Sequence, residues 1–124
     1  MGLRLLDVGD EEHVLEMADW NARPTLGLLL RSGVLGLAAQ VQLEESGSVE
    51  VDERQARALA RYLQQEVLAG MGPCDWIDAS GTRTTEPDEA ALQRLAMTRR
   101  DHLERASLER LAAFCQRCAG FLLS

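Results

Sequence analysis

Cys115-Gln116-Arg117-Cys118 is the one stretch of this chain whose residue types and spacing match a defined chemistry. Such a pair holds a metal ion when two further ligands complete a tetrahedron. It serves as a redox dithiol when it opens a helix, because the helix dipole there lowers the thiol pKa. The other candidate ligands, Cys74, His13 and His102, are isolated in sequence. The pair also falls in the last turns of an expected helix, where the dipole favours the neutral thiol. Both cysteines lie on or beside the apolar stripe of Leu111 and Ala112. Core packing is therefore the expected role, since free cysteine behaves as a small hydrophobe. A thiol or metal site at Cys115 and Cys118 stands as an alternative.

His13 and His102 are the only histidines. His13 follows Glu11 and Glu12, and His102 sits among Arg99, Arg100, Asp101 and Glu104. Either can act as a general base once a carboxylate orients it. A dispersed enzyme site would draw on His13 or His102 with Asp75 or Asp78. Surface or packing histidines are the plainer reading. The chain contains no nucleophile elbow, no phosphate-binding glycine loop and no dinucleotide fingerprint. The acids Asp10, Glu11, Glu12, Glu16 and Asp19 lack the spacing of a calcium loop. No catalytic residue, metal ligand or cofactor is assigned on these grounds.

The elements that must position these residues follow from length and pattern. A chain of 124 residues, 46% hydrophobic and 27% charged, is one domain's worth of globular sequence. With Trp20, Trp76, Tyr62, Phe114 and Phe121 as the whole aromatic set, the core is expected to be aliphatic, with the two tryptophans as its main anchors. Residues 3–8 and 13–18 flank an acidic turn and read as an antiparallel hairpin. A helix is expected to start at Asp19–Pro24, capped by Asp19 or Asn21 with Pro24 in its first turn, and to run to about Arg31, stopping at Ser32-Gly33. From Leu35 to Leu43 every odd position is apolar, which predicts a half-buried strand that turns at Glu44–Gly47 and returns through Val49 and Val51 as a second hairpin.

Asp52-Glu53-Arg54-Gln55 matches a capping box. The helix behind it carries Ala56, Leu59, Ala60, Leu63 and Val67 and ends by Gly70. Residues 74–79 read as a brief strand and 80–84 as a loop. Thr85-Glu86-Pro87-Asp88 is another helix start, and everything from Glu86 to Ala119 is compatible with helix. Its apolar phase nevertheless shifts by about 140° between the stripe of Leu92, Leu95, Ala96 and Leu103 and that of Leu108, Leu111, Ala112, Cys115 and Ala119. Either the helix breaks between Thr98 and Ser107, or its first half buries against another surface such as a second subunit. Phe121–Ser124 is expected to add an edge strand. The whole reads as α+β, with three or four helices packed on one face of a small, mostly antiparallel sheet.

Charge bounds the partners. Residues 1–53 hold eleven acids against three arginines, and residues 54–124 hold nine acids against ten arginines, for a net charge of −7. That balance repels phosphate backbones, so nucleic acid is an unfavoured partner. Arg94, Arg99, Arg100, Arg105 and Arg110 form the one basic concentration. It reads as an exposed face laced with pairs such as Asp101–Arg105, or as a surface that meets the acidic half of another copy. All thirteen basic residues are arginine, a bias that fits a GC-rich bacterial genome. The N-terminus lacks the features of a secretion signal and Leu26–Ala39 is too short to span a membrane, so a cytoplasmic location with free thiols is expected. The sequence thus points to a non-enzymatic binding or interaction protein, a homodimer by expectation.

Overall fold

A computed structural model of the chain describes residues 3–72, 75–78, 83–85 and 101–124. Strand β1 (Leu3–Asp7) alternates in the period of two that a one-sided sheet requires: Leu3, Leu5 and Asp7 are buried, Arg4 is exposed. It pairs with β2 (Val14–Met17) in the expected hairpin, Leu3 opposite Met17 and Leu6 opposite Val14. Helix α1 (Asp19–Arg31) begins without a side-chain cap after Ala18, and Pro24 lies inside it rather than in its first turn. Asn21, expected as a cap, is buried and donates from Nδ2 to the carbonyl of His102 at 2.7 Å. The helix stops where expected, with Gly33 in the left-handed region at φ +76°.

Residues 35–43 are not a strand. Helix α2 (Leu37–Ser46) occupies this segment and closes on Gly47 at φ +75°. The odd-numbered apolar residues divide between its two sides: Ala39 and Leu43 are half-buried against the core, whereas Leu37 and Val41 are exposed. Strand β3 (Val49–Asp52) therefore has no hairpin partner behind it. It pairs instead with β7 (Gly120–Leu123), Val51 opposite Phe121. Because β7 also pairs with β1, it is an interior strand, and the expectation of an edge strand fails. The resulting sheet is antiparallel, in the order β2-β1-β7-β3.

Asp52 caps helix α3 (Glu53–Tyr62) in a full capping box with Gln55. The helix continues through a π turn (Leu63–Val67) and a short 3-10 turn (Leu68–Gly70), burying Ala56, Leu59, Ala60, Leu63 and Leu68. The carbonyls at its end accept from arginines: Gly70 from Arg83 and Met71 from Arg105. A second antiparallel sheet has the order β5-β4-β6, from β4 (Asp75–Asp78), β5 (Arg83–Thr85) and β6 (His102–Glu104). Arg83 and Thr84 are thus strand rather than loop.

Strand β6 decides the last long segment. It ends the run of helix-compatible residues at His102–Glu104, so helix α4 (Arg105–Arg117) starts afresh and its apolar stripe need not continue an earlier one. The expected break falls within Thr98–Ser107, and the second-subunit explanation of the phase shift loses its premise. Thr85, the expected cap of the next helix, is instead the last residue of β5; residues 86–88, the stripe of Leu92, Leu95 and Ala96, and Arg94, Arg99 and Arg100 lie outside the described residues. Asp101 pairs with Arg23 at 3.6 Å and Arg105 with Glu109 at 2.9 Å, in place of the expected Asp101–Arg105 pair.

Helix α4 packs on α3, where Arg57 donates to the carbonyl of Cys115 at 2.7 Å and Gln64 to Gln116 at 3.1 Å. The buried hydrophobic residues form one cluster beneath the sheet face that bears Leu5, Val49, Val51, Phe121 and Leu123. Its aromatic centre is Phe114 against Phe121, at 5.9 Å, while both tryptophans are only half-buried and do not anchor it as expected. Gly120 allows the close approach of β7 to β3: at φ +107°, an added Cβ would stand 2.8 Å from the carbonyl oxygen of Val51. No described helix is long and apolar enough to cross a membrane.

Candidate functional site

Asp7 is the last inward position of β1, and the turn that follows carries the chain to His13, the residue before β2. The Asp7 Oδ1 accepts from the backbone N–H groups of Gly9 (2.9 Å) and Ala119 (3.1 Å), and Oδ2 meets His13 Nδ1 at 2.7 Å. Asp10 closes the same turn by accepting from Glu12 N–H at 3.0 Å. Burial pushes the Asp7 carboxyl up, but the hydrogen bonds from His13, Gly9 and Ala119 outweigh it and hold the carboxyl below its ordinary value of 3.8. The ring of His13 packs on Phe114 with centroids 4.5 Å apart. With the Nδ1 proton directed at the carboxylate, Nε2 is the basic atom, and it makes no hydrogen bond among the described residues.

This dyad borders an open cleft of about 430 Å³ shared with Gly9, Asp10, Arg117 and Ala119. An imidazole oriented by a buried carboxylate is the arrangement of a general base. Among the described residues no serine, threonine or cysteine side chain lines the cleft, so none of them is placed for His13 to activate as a nucleophile. Of the carboxylates expected to serve a histidine, neither reaches His13; its partner is Asp7, which in sequence reads as one more surface acid. The trace of its role is the inward phase of Leu3, Leu5 and Asp7, in which an acid occupies a core position.

His102 is brought to Asp78, which stands opposite it in the β4–β6 register. Its ring is buried, 3.7 Å from Glu104 and edge-on to Trp76 at 6.4 Å. Asp75 faces the other side of β4 and accepts from Gly72 N–H at 2.8 Å, closing the turn before the strand. The two histidines therefore belong to different sheets and do not combine.

Cys115 and Cys118 are both buried. Burial, followed by the neighbouring Cys118, pushes the Cys115 thiol up to about 12, and burial likewise raises Cys118. Cys118 Sγ points to the carbonyl of Cys115 at 3.7 Å. Thiols in this state are poor nucleophiles. Among the described residues no group of three or more histidine, cysteine or acidic side chains could hold a metal ion.

The remaining feature is the outer side of α2. At about 100° per residue, Leu37, Val41, Glu44 and Glu45 fall within about 100° of one another, and Ala39 and Leu43 lie opposite. Leu37 is 76% exposed and Val41 41%, and no residue of the helix is fully buried. Comparison with known proteins adds no relative: no family model matches the chain, and neither a curated protein nor a solved structure does.

Proposed function

We propose that this chain is a non-enzymatic interaction protein that self-associates. One observation carries the reading: α2 holds apolar residues on both sides, and among the described residues only one side packs against the core cluster. A scattered exposed leucine is ordinary. A helix of ten residues with no buried side chain and no side-chain cap is not, because isolated helices shorter than about 12–15 residues are marginal in water. Contact with a partner would supply the burial that the core leaves out.

Size-exclusion chromatography with light scattering tests this over a concentration series. A mass that rises toward twice the monomer at tens of micromolar supports the reading, and a strict monomer throughout overturns it. The Asp7–His13 pair supports a second reading, a small enzyme with His13 as general base toward water. Hydrolysis of a panel of activated esters above the buffer rate, abolished by His13→Ala, would favour it. Equal rates for both proteins would leave the pair as a tie between the β1–β2 turn and the start of β7.

A further inference from the structure

We infer that the occupant of the outer side of α2 is α2 of a second copy, laid antiparallel across a two-fold axis near Val41. The inference rests on the self-association reading and adds its geometry. The first argument is shape. Leu37 and Val41 are one turn apart on the exposed side, and Val41 lies near the midpoint of Leu37–Ser46. In an antiparallel pair the two Val41 side chains meet at the axis, and each Leu37 extends toward the far end of the partner helix.

Charge is the second argument, and it fixes the direction. A helix is positive at its N-terminus and negative at its C-terminus. Helix α2 has no acid in its first turn, no side-chain cap and no basic residue in its last turn. Its two acids, Glu44 and Glu45, stand in the last turn, where its own dipole disfavours them. They lie on the same side as Leu37 and Val41. An antiparallel partner reverses each of these mismatches: Glu44 and Glu45 of one copy come beside the uncapped N-terminus of the other, twice over by symmetry. A parallel pair would instead bring four carboxylates together. A ten-residue helix is about 15 Å long and about 10 Å wide, so one side of it offers on the order of 150 Å², far short of the ~800 Å² per partner of a standard interface; the contact is weak and reversible rather than permanent.

The charge argument yields a test of opposite sign to simple repulsion. Replacing Glu44→Arg and Glu45→Arg lowers the net negative charge of each copy, which by itself strengthens association, and it favours the helix's own dipole. If the helices pair antiparallel, the same change places arginines at the partner's positive end and weakens the dimer about tenfold or more, with the dilute monomer's melting temperature unchanged or raised. A second measurement uses Val41→Cys in a Cys74→Ser background with a short bis-maleimide, because Cys115 and Cys118 are buried. Efficient cross-linking through the thiol introduced at position 41, and none through one introduced by Leu122→Cys on the outer sheet face, supports the inference. A dimer that tightens on charge reversal, or that cross-links at position 122 and not at 41, overturns this geometry and leaves self-association standing. A wild-type chain that stays monomeric overturns both.

Discussion

Helices α2 and α3 are each ten residues long and are separated by one short strand, yet they are held by different means. Helix α3 has a reciprocal cap at Asp52 and Gln55, an i,i+4 pair between Glu53 and Arg57 at 3.4 Å, and Ala56, Leu59 and Ala60 sealed inside. Helix α2 has none of these and ends in two acids at its negative pole. The contrast separates two uses of apolar residues on a helix. In α3 they are gathered on one side and stabilise the monomer. In α2 they are divided between opposite sides, and the outer pair is less covered, Leu37 being 76% exposed and Val41 41%. A short helix of the second kind is a surface held in shape by its neighbours.

The comparison breaks most visibly at single leucines. Leu59→Ala should lower unfolding stability by about 2–5 kcal/mol, since Leu59 is wholly buried. Leu37→Ala should stay within about 0.5 kcal/mol at submicromolar protein, where no dimer forms. Urea unfolding of the two variants side by side checks this, and similar costs would erase the distinction between the helices.

A second, pH-dependent effect belongs to Asp7 in β1. The folded pKa of Asp7 lies below its unfolded value, so between the two the unfolded chain binds more protons. The stabilisation from Asp7 is therefore complete above about pH 4, fades as pH falls through the folded pKa, and is absent below it. Unfolding measured from pH 6 downward should show this acid limb. Asp7→Asn should flatten it, and a limb of unchanged slope in that variant would assign the acid sensitivity elsewhere. Hydrogen exchange at low pH should quicken first around Gly9 and Ala119, not in α2.

The smallest effects sharpen the comparison from the caps. Asp52→Ala should cost about 1 kcal/mol by removing one side of the capping box. Gly36 precedes α2 in extended conformation, with open space around a would-be Cβ. Gly36→Asp should therefore add about 0.5 kcal/mol to α2 by supplying the missing acceptor. Thermal melts of both variants in dilute solution give the two signs directly.

Much of the fold is legible in the sequence wherever local signals agree with one another. The α3 cap, its helical spacing and its stop at Gly70 all point the same way, and the β1–β2 hairpin has its turn residues in place. Helix α2 escapes such a reading because a period of two and a helix with apolar residues on both sides produce the same string from Leu35 to Leu43. The strand β6 is hidden for a different reason. Its three residues suit a helix, and only pairing with β4 extends them; the shift of apolar phase near Thr98–Ser107 is the one mark it leaves. The placement of β7 between β1 and β3 depends on residues more than sixty positions apart, beyond the reach of any local pattern. At the site, the histidines are visible by type, but Asp7 is not, because an acid in a short strand reads as solvated until its neighbours are known.

The position of β7 also bears on how the chain is made. Gly120–Leu123 follow every other strand of their sheet in synthesis, yet they lie at its centre. Until those residues leave the ribosome, β1 and β3 cannot join: β1, paired with β2, offers unpaired N–H and C=O groups along one side, and β3 offers them along both. A nascent chain at that stage is a hairpin and a lone strand across a gap, the condition in which strands from neighbouring polypeptides pair with the wrong molecule. Overexpression at low temperature, which slows synthesis and lowers the standing pool of such chains, should therefore raise the soluble yield.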